Sequence, residues 1–198
     1  MNATATDLVH LQWLKDFRIQ NFAAANILDV GCGSGHLCQK AMDAGARLAV
    51  GVDIVEPRGL RADQQWRFIK ADLNAVNWTD VFAGQTFDLI YAFDILEHLD
   101  SPFRFLAALR SSTSPGATLV LTTPNVLSWE RYLRPNSWSG VRDEQHKTLF
   151  TRYSLEFLCR KAGFKPSISK APVRAFGPMA GMLPQVGGQI ICVSHPAS

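Results

Sequence analysis

The segment "DILEHLD", residues 94–100, carries three side chains that can bind a metal ion or move a proton. Asp94, Glu97 and His98 follow directly after the apolar run "FDLIYAF". Positions three and four residues apart share one face of a helix, so a helix beginning here would present the three groups together. His146, in the later stretch "DEQHKTLFT", adds a second imidazole. Two carboxylates and two imidazoles are donors for a divalent ion such as Mg²⁺ or Mn²⁺.

Two other interpretations of this segment stay open. Without a metal, His98 or His146 can act as a general base toward a reacting hydroxyl. Alternatively, Asp94 caps the helix and Glu97 pairs with a nearby arginine, in which case the segment is purely structural.

The elements that would position these groups alternate along the chain. Apolar strand-like runs occur at residues 26–30, 47–53, 66–71, 87–93 and 117–123, with helix-like segments at 35–45, 57–65 and 102–112. Near-continuous apolar strands separated by helices predict a parallel sheet covered on both faces. Ligands of such open sheets bind at the carboxyl edge of the strands, and the segment 94–100 begins there.

The two ends of the chain extend this pattern. An amphipathic helix is predicted near the N-terminus from the spacing of Leu8, Leu11, Leu14 and Phe17. A second helix is predicted over 151–163, with Ser154 or Thr151 as its N-cap and Gly163 at its end. The stretches "FKPSISKAPV" and "GQIICVS" then suit an antiparallel hairpin at the sheet edge.

We therefore predict one domain over residues 1–198. It comprises an N-terminal helix (1–25), a cofactor-binding core (26–124), a substrate-covering loop (125–150), and a C-terminal helix and hairpin (151–198).

The stretch "LDVGCGSG" connects the first strand to the first helix. Its glycines permit a tight turn and a close approach of the backbone to a ligand. Asp53, about twenty residues further on, can accept hydrogen bonds from two ribose hydroxyls. An NAD-binding fingerprint would need a glycine where this chain has His36. Asp29 would also repel a pyrophosphate, although it tolerates a cationic ligand.

Four motifs in order resemble those of class I S-adenosylmethionine-dependent methyltransferases. "ILDVGCGSGHL" is similar to the first motif, and "VGVD", "KADL" and "FDLIYAFDILEHLDSP", followed by "SPGATLVLTTPN", are similar to the later ones. The resemblance implies a Rossmann-like doubly wound α/β fold. Its sheet would be seven-stranded and mostly parallel, with helices on both faces and an antiparallel C-terminal edge hairpin.

The resemblance also implies S-adenosylmethionine as cofactor and a role for each matching residue. The glycines would pass under the methionine moiety with Asp29 near its ammonium group, Asp53 would bind the ribose, and Asp72 would accept the adenine amine. The implied cofactor-binding set is Asp29, Gly31, Gly33, Gly35, Asp53, Ile54, Asp72, Leu73 and Phe93.

The segment 94–100 together with His146 resembles the Glu-x-x-Glu-His plus downstream-His sites of two methyltransferase groups. These are the ubiquinone-pathway O-methyltransferases and the small-RNA 3′-terminal 2′-O-methyltransferases, in which a metal positions a hydroxyl. Here the first carboxylate is Asp94, which is one methylene shorter than Glu. The resemblance implies Asp94, Glu97, His98 and His146 as metal ligands, and Glu97, His98 and His146 as the catalytic set.

Composition argues against a nucleic-acid-binding protein, a cysteine metal site and a membrane span. The formal net charge of +3 is too small to favour nucleic acid as a partner. The four cysteines show no metal-binding spacing and, with no signal peptide in view, indicate reduced thiols and a cytoplasmic location. No run approaches the roughly 20 apolar residues of a membrane span.

The acceptor is predicted to be a small molecule bearing a hydroxyl, either a phenol, a sugar or a lipid-linked group. The aromatic and arginine side chains that suit such a ligand, or else pack within their own domain, are Trp129, Arg131, Tyr132, Arg134, Trp138 and Arg142. A nitrogen or carbon acceptor stays open. A non-catalytic S-adenosylmethionine-binding partner module is a further alternative, in which the apolar stripe Phe103, Phe105, Leu106 and Leu109 would be partly exposed. The sequence leaves the oligomeric state open.

Overall fold

The computed structural model describes residues 12, 14–15, 21–57, 65–82, 84–171 and 186–197. The predicted N-terminal helix lies largely outside these residues, although Gln12, Leu14 and Lys15 are helical and Leu14 is buried. The short helix predicted over 57–65 falls mostly outside them as well. Two compact units make up the chain: residues 1–93 with 112–117, and residues 94–111 with 118–198. The expectation of a single domain stays a prediction.

The first unit is built on four parallel strands. They are β1 (Asn26–Val30), β2 (Leu48–Asp53), β3 (Arg67–Lys70) and β4 (Phe87–Phe93), in the order β3-β2-β1-β4. Helix α1 (His36–Asp43) follows β1, and the short helix α2 (Trp78–Val81) follows β3. The interior residues of β1, β2 and β4 are mostly buried, since a parallel strand covered on both faces buries nearly every side chain.

The second unit contains the antiparallel part of the sheet. Strand β5 (Thr113–Pro124), whose first residues belong to the first unit, pairs with β7 (Gln189–Pro196), and β7 pairs with β6 (Phe164–Lys170). The helices of this unit are α3 (Pro102–Ser111), α4 (Glu130–Leu133), α5 (Ser139–Arg142) and α6 (Arg152–Lys161). The predicted C-terminal hairpin and the helices near 102–112 and 151–163 are confirmed.

Local sequence explains the ends of α6. The Thr151 side chain accepts a hydrogen bond from the Ser154 backbone N–H, and the Ser154 side chain accepts one from the Thr151 backbone N–H. This capping box satisfies two amide groups that the first helical turn leaves without partners. Gly163 follows the helix at φ 86°, a left-handed conformation that suits glycine.

In the described part of the chain, seven strands, mostly parallel with an antiparallel C-terminal pair, and interspersed helices confirm the predicted α/β fold class. All four cysteines are buried and free. Among the described residues, no helix has both the length and the apolar character that crossing a bilayer requires.

Candidate active site

The glycine turn after β1 is held open by left-handed backbone. Gly31, Gly33 and Gly35 all have positive φ, between 49° and 75°. A Cβ on Gly35 would lie 2.2 Å from the buried ring of Trp66, so the turn packs directly on that indole. A Cβ on Gly33 would meet nothing within 4 Å. The turn therefore has a packed inner side at Gly35 and an open side at Gly33, where a ligand can approach the backbone.

Asp53, the last residue of β2, connects that strand to the glycine turn. Its Oδ2 accepts a hydrogen bond from the Gly33 N–H at 2.9 Å, and its Oδ1 accepts one from the Val55 N–H at 2.9 Å. A carboxylate offers about four acceptor sites, so both oxygens keep a free direction for a ligand hydroxyl. The acidic group expected at the ribose is therefore fixed beside the glycine turn by the backbone itself.

The remaining residues of the predicted cofactor set lie in different environments. Asp29 is buried at 4% exposure and accepts a weak hydrogen bond from the Cys38 thiol at 3.9 Å. Asp72 is exposed, and its Oδ1 accepts the Asn74 N–H at 2.9 Å, which is an ordinary turn after a strand. Ile54 is 56% exposed although it is a large apolar residue. Leu73 and Phe93 are half-buried.

The expectation that residues 94–100 begin a helix is wrong. Asp94 has φ 54°, outside the right-handed helical region, and only Leu96–His98 form a 3₁₀ turn. The α-helix begins at Pro102, because proline favours the first helical position and restricts the residue before it to extended backbone. The spacing of three and four residues therefore does not place the three side chains on one helical face.

Asp94 is held by β5 and β7. Its backbone N–H donates to Thr122, whose hydroxyl donates to Asp94 Oδ1 at 2.9 Å. The Gln189 side-chain amide donates to the same carboxylate oxygen. Asp94 is also absent from the group of potential ligands that converge in the described part of the chain. The interpretation of Asp94 as a helix cap is not supported either, and its contacts instead fix the turn that follows β4.

Glu97 is a carboxyl group buried in the second unit. Its side chain is fully buried, and neither carboxylate oxygen has a well-formed hydrogen bond to a described residue. Burial, and secondarily the charge of Asp94, raise the pKa of Glu97 to about 8, although the Glu97 backbone N–H and then the Thr123 hydroxyl act to lower the pKa. Glu97 is therefore mostly protonated at neutral pH, and no arginine among the described residues pairs with it.

The chain brings both histidines to this glutamate. Ligand atoms of Glu97, His98 and His146 all lie within 4.8 Å of one another, and the two imidazole rings meet edge to face at 4.7 Å. Two backbone hydrogen bonds maintain the arrangement, because the Glu97 carbonyl accepts the N–H groups of Lys147 and Thr148. We call Glu97, His98 and His146 the acid–imidazole cluster.

The two histidines differ in environment. His146 Nδ1 lies 3.1 Å from the Gly140 carbonyl oxygen, which can only accept, so Nδ1 carries a proton and Nε2 is the nitrogen that can accept one; Nε2 lies 3.9 Å from Asp143 Oδ2. Burial and then the proximity of His146 lower the pKa of His98, although Asp143, the Gln145 backbone and Asp94 act in the opposite direction. His98 is therefore neutral at physiological pH and can act as an acceptor.

Sequence reasoning missed two residues that lie beside this cluster. Gly140 orients His146, and Thr123 lies beside the Glu97 carboxyl. Thr123 lies in "TTPN" and Gly140 in "WSG", and neither stretch has a periodicity that would connect it to the segment 94–100.

Residues 125–150 fold into short helices around a cavity. The cavity has a volume of about 240 Å³ and is lined by Trp129, Glu130, Arg134 and Trp138. By contrast, the apolar stripe of α3 is mostly buried: Phe105, Leu106 and Leu109 are at most 1% exposed, and only Phe103 is exposed, at 46%. The stripe therefore gives little support to a non-catalytic partner module.

Comparison with known proteins agrees with this geometry. A family described as "Methyltransferase domain" matches residues 2–167. The chain is 30% identical over 130 residues to a tRNA U34 carboxymethyltransferase of Klebsiella pneumoniae. That alignment covers 58% of this chain but only 38% of the relative. It is 28% identical over 172 residues to a ubiquinone biosynthesis O-methyltransferase of Cereibacter sphaeroides, covering 80% of this chain and 67% of the relative.

A solved structure supports the fold independently. The crystal structure of an S-adenosylmethionine-dependent methyltransferase from Archaeoglobus fulgidus matches with a TM-score of 0.71 at 17% identity, covering 96% of this chain and 93% of that one. The family match spans most of the sequence. The chain belongs to this methyltransferase-domain family of S-adenosylmethionine-dependent enzymes.

Proposed function

We propose that this protein transfers the methyl group of S-adenosylmethionine to a hydroxyl oxygen of a small molecule. The observation that carries the proposal is the acid–imidazole cluster, in which ligand atoms of a buried glutamate and two imidazoles lie within 4.8 Å of one another. A hydroxyl is a weak nucleophile at neutral pH, since even a phenol has a pKa of about 10. An imidazole positioned beside the hydroxyl can take its proton and so make the oxygen a better nucleophile.

The glycine turn and Asp53 are suited to hold the methyl donor. Gly35 leaves no room for a side chain above Trp66, and Gly33 leaves its ligand side open. Asp53 would accept the two ribose hydroxyls through the free directions of its carboxylate, and the exposed Ile54 would be covered by the cofactor. S-adenosylmethionine supplies the electrophilic methyl group, so the chain itself must orient the acceptor and receive its proton.

In this proposal the chain receives the proton at a histidine. His146 presents Nε2 as the lone-pair nitrogen because Nδ1 donates to the Gly140 carbonyl. Glu97, protonated at neutral pH, can donate a hydrogen bond within the cluster or, once ionised, stabilise the imidazolium that forms. The result is a relay whose base is fixed in one tautomer by the backbone.

The cluster also fits a divalent metal ion. The two carboxylate oxygens of Glu97 have no well-formed hydrogen-bond partner among the described residues. The His146 ring donates a hydrogen bond through Nδ1 to a backbone carbonyl, as metal-binding histidines usually do with the nitrogen that does not bind the metal. Glu97, His98 and His146 would hold the ion, which would lower the pKa of a bound hydroxyl. One carboxylate and two imidazoles suit Mn²⁺ better than Mg²⁺, which prefers oxygen donors.

A small-molecule acceptor is favoured over RNA. The relatives named for tRNA align with this chain over 38–52% of their own length, and the net charge of the chain is only +3. Affinity for nucleic acid depends on many neutralised phosphates, which needs a concentrated positive surface. The cytoplasmic location predicted from the cysteines stays a prediction.

The test compares two double variants in a methyl-transfer assay with catechol as acceptor. Glu97→Ala with His146→Ala should stop formation of the O-methyl product seen by mass spectrometry, while affinity for S-adenosylhomocysteine stays unchanged. Glu144→Ala with His195→Ala removes the same residue types outside the cluster and should leave turnover unaltered. Turnover that survives loss of Glu97 and His146 would contradict the assignment. Turnover measured after metal removal by EDTA, and again after addition of Mn²⁺ or Mg²⁺, distinguishes the metal-dependent mechanism from the metal-free one.

A further inference from the structure

Asp143 places a further carboxylate beside the acid–imidazole cluster. Its Oδ2 lies 3.9 Å from His146 Nε2, the ring nitrogen opposite the one that donates to the Gly140 carbonyl. Because Nδ1 is engaged with that carbonyl, Nε2 is the nitrogen that can bind a metal ion. The nitrogen available to an ion therefore already faces a carboxylate, one that the sequence-based prediction of the site did not include.

A turn of the backbone directs this carboxylate toward the histidine. Asp143 Oδ1 accepts a hydrogen bond from the Gln145 N–H at 2.9 Å, and the Asp143 carbonyl accepts one from the His146 N–H at 3.2 Å. The other carboxylate oxygen, Oδ2, is the one on the side of the imidazole. The Asp143 side chain is 49% exposed and that of His146 only 8%. Asp143 thus lies on the solvent side of the cluster, whereas Glu97 is fully buried.

The two carboxyl groups complement each other in charge. The hydrogen bond from the Gln145 N–H, and then the proximity of His146 and His98, lower the pKa of Asp143, so this exposed carboxylate is ionised at neutral pH. Glu97 is mostly protonated there because it is buried. A divalent cation that approaches the imidazoles would meet the negative charge of Asp143 first, and this attraction does not depend on ionisation of Glu97.

The distance between Asp143 and His146 is compatible with a shared ion. Ligand atoms that lie about 2.0–2.2 Å from one first-row metal ion are roughly 3–4.4 Å apart, depending on the angle between them. The 3.9 Å between Asp143 Oδ2 and His146 Nε2 falls in this range. Asp143 is outside the group whose ligand atoms all lie within 4.8 Å of one another. It would therefore reach the ion by a rotation of its side chain, which is exposed on the solvent side.

Asp94, the carboxylate predicted for this role, is engaged elsewhere. The Thr122 hydroxyl and the Gln189 side-chain amide both donate to Asp94 Oδ1. Moving that oxygen to an ion would break both hydrogen bonds, whereas Asp143 Oδ2 already faces the His146 ring. Asp143 is therefore the better placed of the two aspartates.

We propose that Asp143 is the fourth protein ligand of a metal site formed with Glu97, His98 and His146. The set then holds two carboxylates and two imidazoles, and Mn²⁺ accepts both kinds of donor. An ion with six ligands would keep two positions for water or the acceptor hydroxyl. The inference rests on the metal-dependent form of the proposed function and assigns the ligands of that same site.

The experiment measures Mn²⁺ binding by calorimetry, at one fixed neutral pH, to the intact protein after its metals have been removed with EDTA. Asp143→Asn should weaken Mn²⁺ binding at least about 10-fold, since even the hydrogen-bond partners of metal ligands typically contribute that much. Glu144→Gln, which removes the same charge at the neighbouring exposed position, is the matched control and should bind Mn²⁺ like the wild type. An equal affinity in Asp143→Asn and wild type would overturn the inference.

A second readout separates ligation from attraction at a distance. The relaxation of water protons by bound Mn²⁺ reports how many water molecules the ion holds. Asp143→Ala should hold an additional water, because water takes the position that the carboxylate leaves, and Glu144→Ala should hold the same number as the wild type. A lower affinity without an additional water would overturn the assignment of Asp143 as a ligand.

A baseline variant separates this inference from the function on which it rests. Glu97→Ala with His146→Ala removes the cluster and shows how much Mn²⁺ binds elsewhere on the chain. A wild-type affinity no tighter than this baseline would overturn the inference and leave metal-free methyl transfer standing. Failure to bind S-adenosylhomocysteine, measured on the same samples, would instead overturn the methyl-transfer proposal itself.

Discussion

Replacing Glu97 by glutamine tests the electrostatics of the acid–imidazole cluster directly. The change keeps the size of the side chain and removes its ionisation. The folded pKa of Glu97 is about 8, against 4.5 for an unhindered glutamate, because the carboxyl is fully buried. The folded state therefore retains a proton over a pH range in which the unfolded state has lost it.

The sign and size of the effect follow from that difference. Below pH 4.5 both states are protonated and the group contributes no pH dependence. As the pH rises toward 8, the unfolded state ionises first, so the free energy of unfolding falls by about 1.4 kcal/mol per pH unit. From pH 5 to pH 7.5 the wild-type protein should thus lose about 3 kcal/mol relative to Glu97→Gln.

The assay is urea unfolding followed by circular dichroism at pH 5, 6, 7 and 8, with EDTA present throughout. The stability difference between Glu97→Gln and wild type should grow with pH and level off above pH 8. Glu144→Gln, at an exposed position of the same unit, is the matched control and should follow the wild-type curve. Parallel curves for wild type and Glu97→Gln would refute the conclusion that Glu97 is buried in its neutral form.

Three further predictions concern the cluster and the cofactor site. Metal binding at the cluster must displace the Glu97 proton, so Mn²⁺ affinity measured by calorimetry should tighten between pH 6 and pH 8 and release protons; an affinity independent of pH would contradict a Glu97 ligand. Asp53→Ala should weaken S-adenosylhomocysteine binding about 100-fold or more, since two charge-assisted hydrogen bonds are lost, and unaltered affinity would remove Asp53 from the site. Gly35→Ala should lower the melting temperature and the cofactor affinity together, because a φ of 72° costs alanine about 1–2 kcal/mol and the added Cβ would meet the Trp66 ring. The control is Gly84→Ala, which also has positive φ but has open space around the added Cβ, and it should lower stability alone.

The fold was largely predictable because its signals are local. The apolar runs of β1, β2 and β4 exceed what a surface strand would carry, and Thr151 marks the start of α6 by its own hydrogen bonds. Glycines at positive φ likewise mark the turn after β1. In each case the residues that determine the structure are adjacent in sequence to the structure they determine.

Three of the four predicted members of the cluster, Glu97, His98 and His146, do converge, but Asp94 does not, and the geometry was not predictable. Periodicity suggested a helix from Asp94, yet Asp94 adopts φ 54° because Thr122 and Gln189, from β5 and β7, bind its backbone and carboxylate. Such contacts come from residues 28 and 95 positions away. No local pattern encodes them, so they override the helical spacing.

The loss of Asp94 from the cluster also changes the chemistry. Four ligands with two carboxylates would form an oxygen-rich site in which Glu97 could be ionised by a strongly bound cation. With three converging ligands, one of them a carboxyl of raised pKa, a metal must compete with a proton for Glu97. Without a metal, the same raised pKa keeps Glu97 neutral beside two imidazoles, which favours a histidine as the proton acceptor. In the proposed mechanism, the burial of this one carboxyl group would therefore make the balance between the metal-bound and the metal-free form of the site depend on pH.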